Sequence, residues 1–278
     1  MEEKVALDLE DFSSEPLFDY LVKEVEKDPT FLIGLFVAIA AVIITIVFLK
    51  FFVSTQTKRN SVLLVGLCDA GKTLLFSRLL SGRFTRTQTS ISESSASYRA
   101  KNERGTTWTL VDLPGHESLR PQFMEKFKAS ARAIVFVLDS AIFQKEVKDA
   151  AEFLYSLLTD GVVIKNATTL LVACNKQDIT TAKSAKLIQQ QLERELNTLR
   201  VTRSAALSSQ DGSIGAAVHL GKKGKDFEFS QLPMKVEFVE CSARGSKGEE
   251  GDAEIEALET SLAKLKMNAF STYTGQRN

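Results

Sequence analysis

Histidine and cysteine are scarce in this chain: two histidines, His116 and His219, and three cysteines, Cys68, Cys174 and Cys241, among 278 residues. No Cys pair or Cys/His spacing of the kind that holds zinc occurs, which excludes a zinc-built domain. Three cysteines in apolar or glycine-rich surroundings make no disulfide framework either; they fit a reducing compartment, as small buried side chains. Net charge is lacking as well. Thirty-five basic residues balance 35 acidic ones, so the field of the whole molecule gives no reason to expect direct contact with nucleic acid. Glu2 excludes N-terminal myristoylation and the closing Gly275-Gln276-Arg277-Asn278 is no prenylation box, so no lipid anchor is expected. What is present is apolar: 44% of the residues are hydrophobic, enough to bury a sizeable core.

The longest apolar run, Phe31 to Leu49, is uncharged over 19 positions. As a helix it spans nearly ~30 Å at ~1.5 Å per residue, the thickness of bilayer hydrocarbon. It has no polar face, unlike a surface helix of a soluble domain. Asp28-Pro29 reads as an N-cap with proline at the first helical position, and Lys50 marks the far end. A transmembrane helix is therefore expected over 31–53. It should be retained rather than cleaved, because an acidic segment precedes it and no small-residue cleavage site follows. The chain then divides into an acidic N-terminal segment 1–30, the helix, a linker 54–60, a folded domain 61–268 and a tail 269–278. Lys50, Lys58 and Arg59 follow the helix and place its C-terminal side in the cytosol, although Lys23 and Lys27 flank the other side.

From Ser61 onward, short β-branched runs alternate with helical periodicity, the pattern of a mostly parallel sheet with helices on both faces. Strands are expected at Ser61 to Val65, Thr107 to Val111, Ala133 to Leu138, Leu170 to Ala173 and Lys235 to Cys241, with a sixth near Tyr98 antiparallel at an edge. Helices are expected at Lys72 to Leu80, Gln144 to Leu158, Ala182 to Leu199 and Ala253 to Lys266. Residues 203–229, rich in Ser, Gly and Ala and holding Lys222, Lys223 and Lys225, break the rhythm and read as a mobile surface insertion.

Four motifs carry chemistry. Gly66-Leu67-Cys68-Asp69-Ala70-Gly71-Lys72-Thr73 fits G-x-x-x-x-G-K-[ST] between a strand and a helix that continues through Leu74. Its backbone N–H groups suit phosphates, Lys72 suits the β and γ oxygens, and the Thr73 hydroxyl suits Mg²⁺. Asp112-Leu113-Pro114-Gly115 ends an apolar strand, where Asp112 reaches a metal through water and Gly115 brings a backbone N–H to the γ-phosphate. Asn175-Lys176-Gln177-Asp178 follows another strand. Asp178 accepts from guanine N1–H and its exocyclic amine, a pair that adenine lacks, and a site built on such a buried acceptor rejects the analogue strongly. Lys176 lays its stem along the base, while Asn175 ties this loop to the phosphate loop. Cys241-Ser242-Ala243-Arg244 comes last, with Ala243 offering an N–H to guanine O6. The fold implied is α/β, a P-loop small GTPase domain with a mostly parallel six-stranded sheet, preceded by one transmembrane helix. Its cofactors are GTP or GDP and Mg²⁺, which puts the domain in the cytosol and the N-terminus in the lumen.

These motifs resemble the translation-factor-related small GTPases over Ser61 to about Lys266. The likeness is sharpest to the β-subunit family of the signal recognition particle receptor, through the N-terminal anchor, the phosphate loop, Asp112 to Arg120 and Gly221 to Phe229. It implies that Thr87, Gln88, Thr89 and Ser90 contact nucleotide, with Thr89, then Ser90, as the hydroxyl that senses the γ-phosphate and joins Thr73 and Asp112 at the metal. It also implies a GTP-dependent heterodimer with the receptor's α subunit on the endoplasmic reticulum, and indirect contact with the signal recognition particle, ribosome and translocon. Two positions depart from Ras-like members: His116 stands where a water-positioning Gln is usual, and Cys68 where Gly is. His116 is read as the catalytic candidate that orients water, or alternatively as a switch-packing residue. With no arginine finger evident, hydrolysis is expected to be slow or partner-assisted. The competing readings are an Arf-like trafficking switch and a constitutive anchor stabilised by bound nucleotide.

Overall fold

The structure, a computed structural model, describes residues 29–54, 59–103, 105–209, 220–222, 224–248 and 251–265. Nearly all of the expected lumenal segment, the middle of the linker, the tail and Lys223 lie outside them. Two units are distinguished, Met1–Thr57 and Lys58–Asn278.

In the first unit, helix α1 runs Pro29–Ser54 over 26 residues and begins on a proline, whose missing N–H costs nothing at a helix start. Side chains are described at Gly34 and 36–48, where Phe36, Ile44 and Phe48 are exposed. Thr45 satisfies its hydroxyl internally, donating to Ala41 O at 2.6 Å. Among the described residues, no helix is long and apolar enough to cross a membrane.

The second unit is built on six strands: β1 Ser61–Gly66, β2 Ser94–Arg99, β3 Thr107–Asp112, β4 Ala131–Asp139, β5 Thr169–Asn175 and β6 Val236–Glu240. Their order is β2-β3-β1-β4-β5-β6, with β2 antiparallel to β3 and every other pair parallel. The expected antiparallel edge at Tyr98 is β2, where Tyr98 pairs with Trp108. The central strands read as continuous apolar runs because both faces are covered. Alternation then splits the core in two. Leu63, Ile134, Phe136 and Val172 face helices α4 (Phe143–Leu158) and α6 (Ala185–Ser209), which supply Leu154, Ile188 and Leu192. Val62, Leu64, Val135 and Ala173 face α2 (Lys72–Ser81) and α7 (Glu256–Ala263), which supply Leu75 and Leu258.

Several elements differ from the sequence expectation, each for a local reason. Helix α3, Arg120–Phe127, carries Pro121 in its first turn, where its missing N–H costs nothing, and the short α5, Gly161–Lys165, is capped by Asp160, which accepts from Val162 N at 2.8 Å and Val163 N at 3.1 Å. Helix α7 begins later than Ala253 because Glu254 is held extended, exchanging two backbone bonds of 2.9 Å with Ser242. Helix α6 runs ten residues beyond Leu199, through a stretch without Gly or Pro to stop it. Arg203 fastens that extension to α4, stacking over Tyr155 at 4.7 Å and pairing with Glu152. The expected mobile insertion at 203–229 is thereby corrected in part. Residues 210–219 lie outside the described ones, but Leu220, Phe227 and Phe229 are core residues, buried against α6. Arg200 orders the lysine-bearing turn by donating to Leu220 O, Lys222 O and Lys225 O.

Candidate functional site

The carboxyl ends of the parallel strands form one rim, where open α/β sheets hold ligands. Gly66 ends β1, Asp112 ends β3, Asp139 ends β4, Asn175 ends β5, and Cys241 follows β6. The phosphate loop joins β1 to α2. Gly71 sits at φ 91°, where a Cβ would run into the Asn175 amide, so no other residue fits there. Asp69 is also left-handed, at φ 58°, and is exposed; Cys68 is half-buried and Ala70 buried. Leu67 and Leu74 turn their side chains to the core, so any ligand contact from them is through backbone.

Lys72 is 7% exposed and donates to Leu67 O at 2.6 Å. Burial holds its pKa below the ordinary lysine value, against the attraction of Asp112. Asp112 is 1% exposed, and burial raises its pKa despite the Thr73 hydrogen bond and the charge of Lys72. Its Oδ2 accepts from Thr73 Oγ1 at 2.7 Å, whereas its Oδ1 is buried with no hydrogen-bond partner. A buried cation beside a carboxylate oxygen with no donor is an arrangement that suits a phosphate and a hydrated divalent ion. Gly115 closes this corner: a Cβ there would lie 2.5 Å from Lys72 Nζ and 2.8 Å from Leu67 O.

The switch stretch is placed differently from expectation. Thr87, Gln88 and Thr89 are exposed, and Ser90 rather than Thr89 meets the metal corner, its Oγ 3.0 Å from Thr73 Oγ1. Thr89 is therefore not brought to Thr73; the half-buried Ser90 is, since its turn points inward while its neighbours face solvent. His116 is exposed, with Nδ1 2.8 Å from Ser118 Oγ. Thus it is not packed within the switch.

At the far end of the rim, Asn175 is 1% exposed and bridges two loops. Its Nδ2 donates to Ala70 O at 2.8 Å and its Oδ1 accepts from Ala243 N at 2.9 Å. The first bond is the expected tie to the phosphate loop. The second uses within the protein the Ala243 N–H that was assigned to a base. Asp178 accepts from Ser242 Oγ, which also accepts from Gly245 N at 2.8 Å. Lys176, left-handed at φ 65°, pairs with Asp139 at 2.6 Å. Sequence reasoning missed Asp139, although an acid ending an apolar strand is the same signal that singled out Asp112. It also missed Arg120, whose Nε donates to Gly115 O at 2.7 Å, and Arg78, described below. Among the described residues, no group of three or more His, Cys, Asp or Glu could hold a metal ion. A groove of about 430 Å³ between α3 and α4 is lined by Glu117, Arg120, Met124, Glu152 and Phe153, and Lys72, Asp112, Asn175 and Asp178 lie outside it.

The sheet order and the loops gathered at its carboxyl ends define a small GTPase of the P-loop class. Residues 57–236 match the profile of the signal recognition particle receptor beta subunit. The human signal recognition particle receptor subunit beta is 62% identical over 252 residues, covering 90% of this chain and 93% of the human one. This chain belongs to the signal recognition particle receptor beta subunit family. Among solved structures, that of the mammalian SRP receptor is 62% identical, with a TM-score of 0.65, covering 74% of this chain and 100% of that one. The GDP-Mg form of the receptor's SRb from Chaetomium thermophilum is 25% identical, with a TM-score of 0.58, covering 76% of this chain and 100% of that one.

Proposed function

We propose that this chain is a guanine-nucleotide-binding, membrane-held receptor subunit that secures the receptor's α subunit at the endoplasmic reticulum in a GTP-dependent manner, for co-translational protein targeting. The observation that carries the reading is that buried Lys72 and the orphaned Asp112 Oδ1 stand together at one end of a rim whose other end presents Asp178. The backbone of residues 66–74 and Lys72 would hold the phosphates, with Gly115 at the γ position. Lys176 and Asp178 would hold the base, with Ser242 aiming Asp178 and the Asn175–Ala243 bond fixing the loop beneath them. Thr73, Ser90 and, through water, Asp112 would hold Mg²⁺, which supplies charge neutralisation between the outer phosphates. Loss of the γ-phosphate would release the segments around Ser90 and Gly115, a local change able to remove a partner's surface.

Hydrolysis in this reading is slow or partner-assisted. His116 faces solvent beside Ser118, and Arg120 is engaged with Gly115 O, so neither is set against a γ-phosphate. The uncharged 19-residue run from Phe31 to Leu49 in the sequence supports a single membrane-spanning anchor, N-terminus lumenal, with the nucleotide domain in the cytosol. The test is binding of labelled GTP, GDP and ATP to the full chain in detergent, with capture of the receptor α subunit in each state. The expected result is guanine-selective binding and α capture with GTP only. GTP binding without capture would replace this reading with an Arf-like switch, and equal capture with GDP would reduce the chain to a constitutive anchor.

A further inference from the structure

Arg78 lies on α2, six residues beyond Lys72, outside every motif, and is 4% exposed. Its partners are backbone carbonyls. Nε donates to Ala243 O at 3.0 Å, Nη2 to Gly251 O at 2.8 Å and Arg244 O at 3.3 Å, and Nη1 to Gly82 O at 2.8 Å. Three of those carbonyls belong to the loop that starts at Ser242, and the fourth closes the guanidinium's own helix, so the fork spans from the phosphate-binding helix to the opposite end of the rim. Phe84 covers the guanidinium at 5.6 Å from its ring centroid. A buried guanidinium satisfied by converging carbonyls is a geometric fastener, because its planar donors fix angles as well as distances.

Ala243 is thus gripped on both sides, its N–H by Asn175 and its C=O by Arg78. The neighbouring Ser242 is the residue that orients Asp178. Resting on the nucleotide reading above, we infer that Arg78 is a positioning residue for base selection: it holds the Ser242–Arg244 loop so that Ser242 keeps Asp178 aimed at the guanine edge. No group on Arg78 touches the ligand; its effect passes through the loop. Phosphate binding and base selection would then share one helix, with Lys72 at its start and Arg78 near its end.

The experiment compares GTP and ITP, which differ only in the exocyclic amine that Asp178 accepts from, in the full chain in detergent. The wild type should prefer GTP by about tenfold or more. Arg78→Met should lower that preference at least about threefold and speed GDP release about tenfold, as loss of hydrogen bonds to a charged donor implies. Arg78→Lys, which keeps charge and one contact but loses the fork, is read beside it and should fall between the two, so that the comparison survives if the methionine variant fails to fold. Equal loss of GTP and ITP affinity would mean a purely structural role, and an unchanged preference with unchanged release would likewise overturn the inference. A wild type that fails to prefer GTP over both ITP and ATP would instead overturn the guanine-site reading itself.

Discussion

Replacing Asn175 with alanine should cost far more stability than a polar-to-alanine change at the surface. The side chain is 1% exposed and makes two good bonds, to Ala70 O at 2.8 Å and from Ala243 N at 2.9 Å. Truncation removes both and leaves a buried carbonyl and a buried N–H without partners, since Ala70 and Ala243 are themselves buried. At about 1–3 kcal/mol for each buried group left orphaned, the two together cost roughly 2–6 kcal/mol. That is a large share of the ~5–15 kcal/mol by which domains are stable. The chain contains one tryptophan, Trp108, 1% exposed on β3, so urea unfolding can be followed by its fluorescence. Asn175→Asp separates the two halves: it retains the acceptor for Ala243 N but faces Ala70 O with a carboxylate oxygen in place of a donor. A midpoint shift equivalent to less than about 1 kcal/mol for Asn175→Ala, at unchanged slope, would refute the bridging argument.

Asp178→Asn should move nucleotide preference from guanine towards xanthine, since an amide donates where the carboxylate accepted; a competition assay showing undiminished GTP preference would remove Asp178 from the base site. Phe227→Ala should destabilise the domain by about 3–5 kcal/mol, because Phe227 is buried and packs edge-on to Phe229 at 5.3 Å between centroids. A loss below about 1 kcal/mol in the same urea assay would return that stretch to a surface insertion. Tyr98 has its pKa pushed up to about 12 by burial, with Glu259 adding to it, and its hydroxyl has no hydrogen-bond partner. A folded-state pKa above the unfolded value gives stability that is complete below about pH 10 and is lost as pH rises towards 12. Tyr98→Phe should therefore flatten the alkaline fall in stability and add about 1 kcal/mol at neutral pH, as checked by urea midpoints between pH 7 and 11.

The fold was legible where patterns were long and local. Continuous β-branched runs announced the buried parallel strands, and the phosphate loop stood between a strand and a helix as its chemistry requires. Asn175 was assigned its bridge to the phosphate loop from position alone, and the bond is there. What stayed hidden depends on three-dimensional return. Ser90 and Thr89 are adjacent hydroxyls, and only the turn's orientation tells which one meets Thr73. Arg78 reads as an ordinary helix-surface arginine until a loop more than 160 residues away is brought beside it. Phe227 and Phe229 lack a periodic partner in sequence because their partners are on α6 and β6.

The order of the sheet leaves two strands with an open side, β2 and β6. Exposed sheet edges invite a second strand from another molecule, and short polar or charged edges blunt that invitation. β2 is Ser-Ser-Ala-Ser-Tyr-Arg with only Tyr98 buried, and β6 carries Glu237 and Glu240, the former paired with Lys235 and with Ser261 on α7. Neither edge offers a long apolar ribbon. Crowded copies of this domain would therefore find little to zip onto along the sheet.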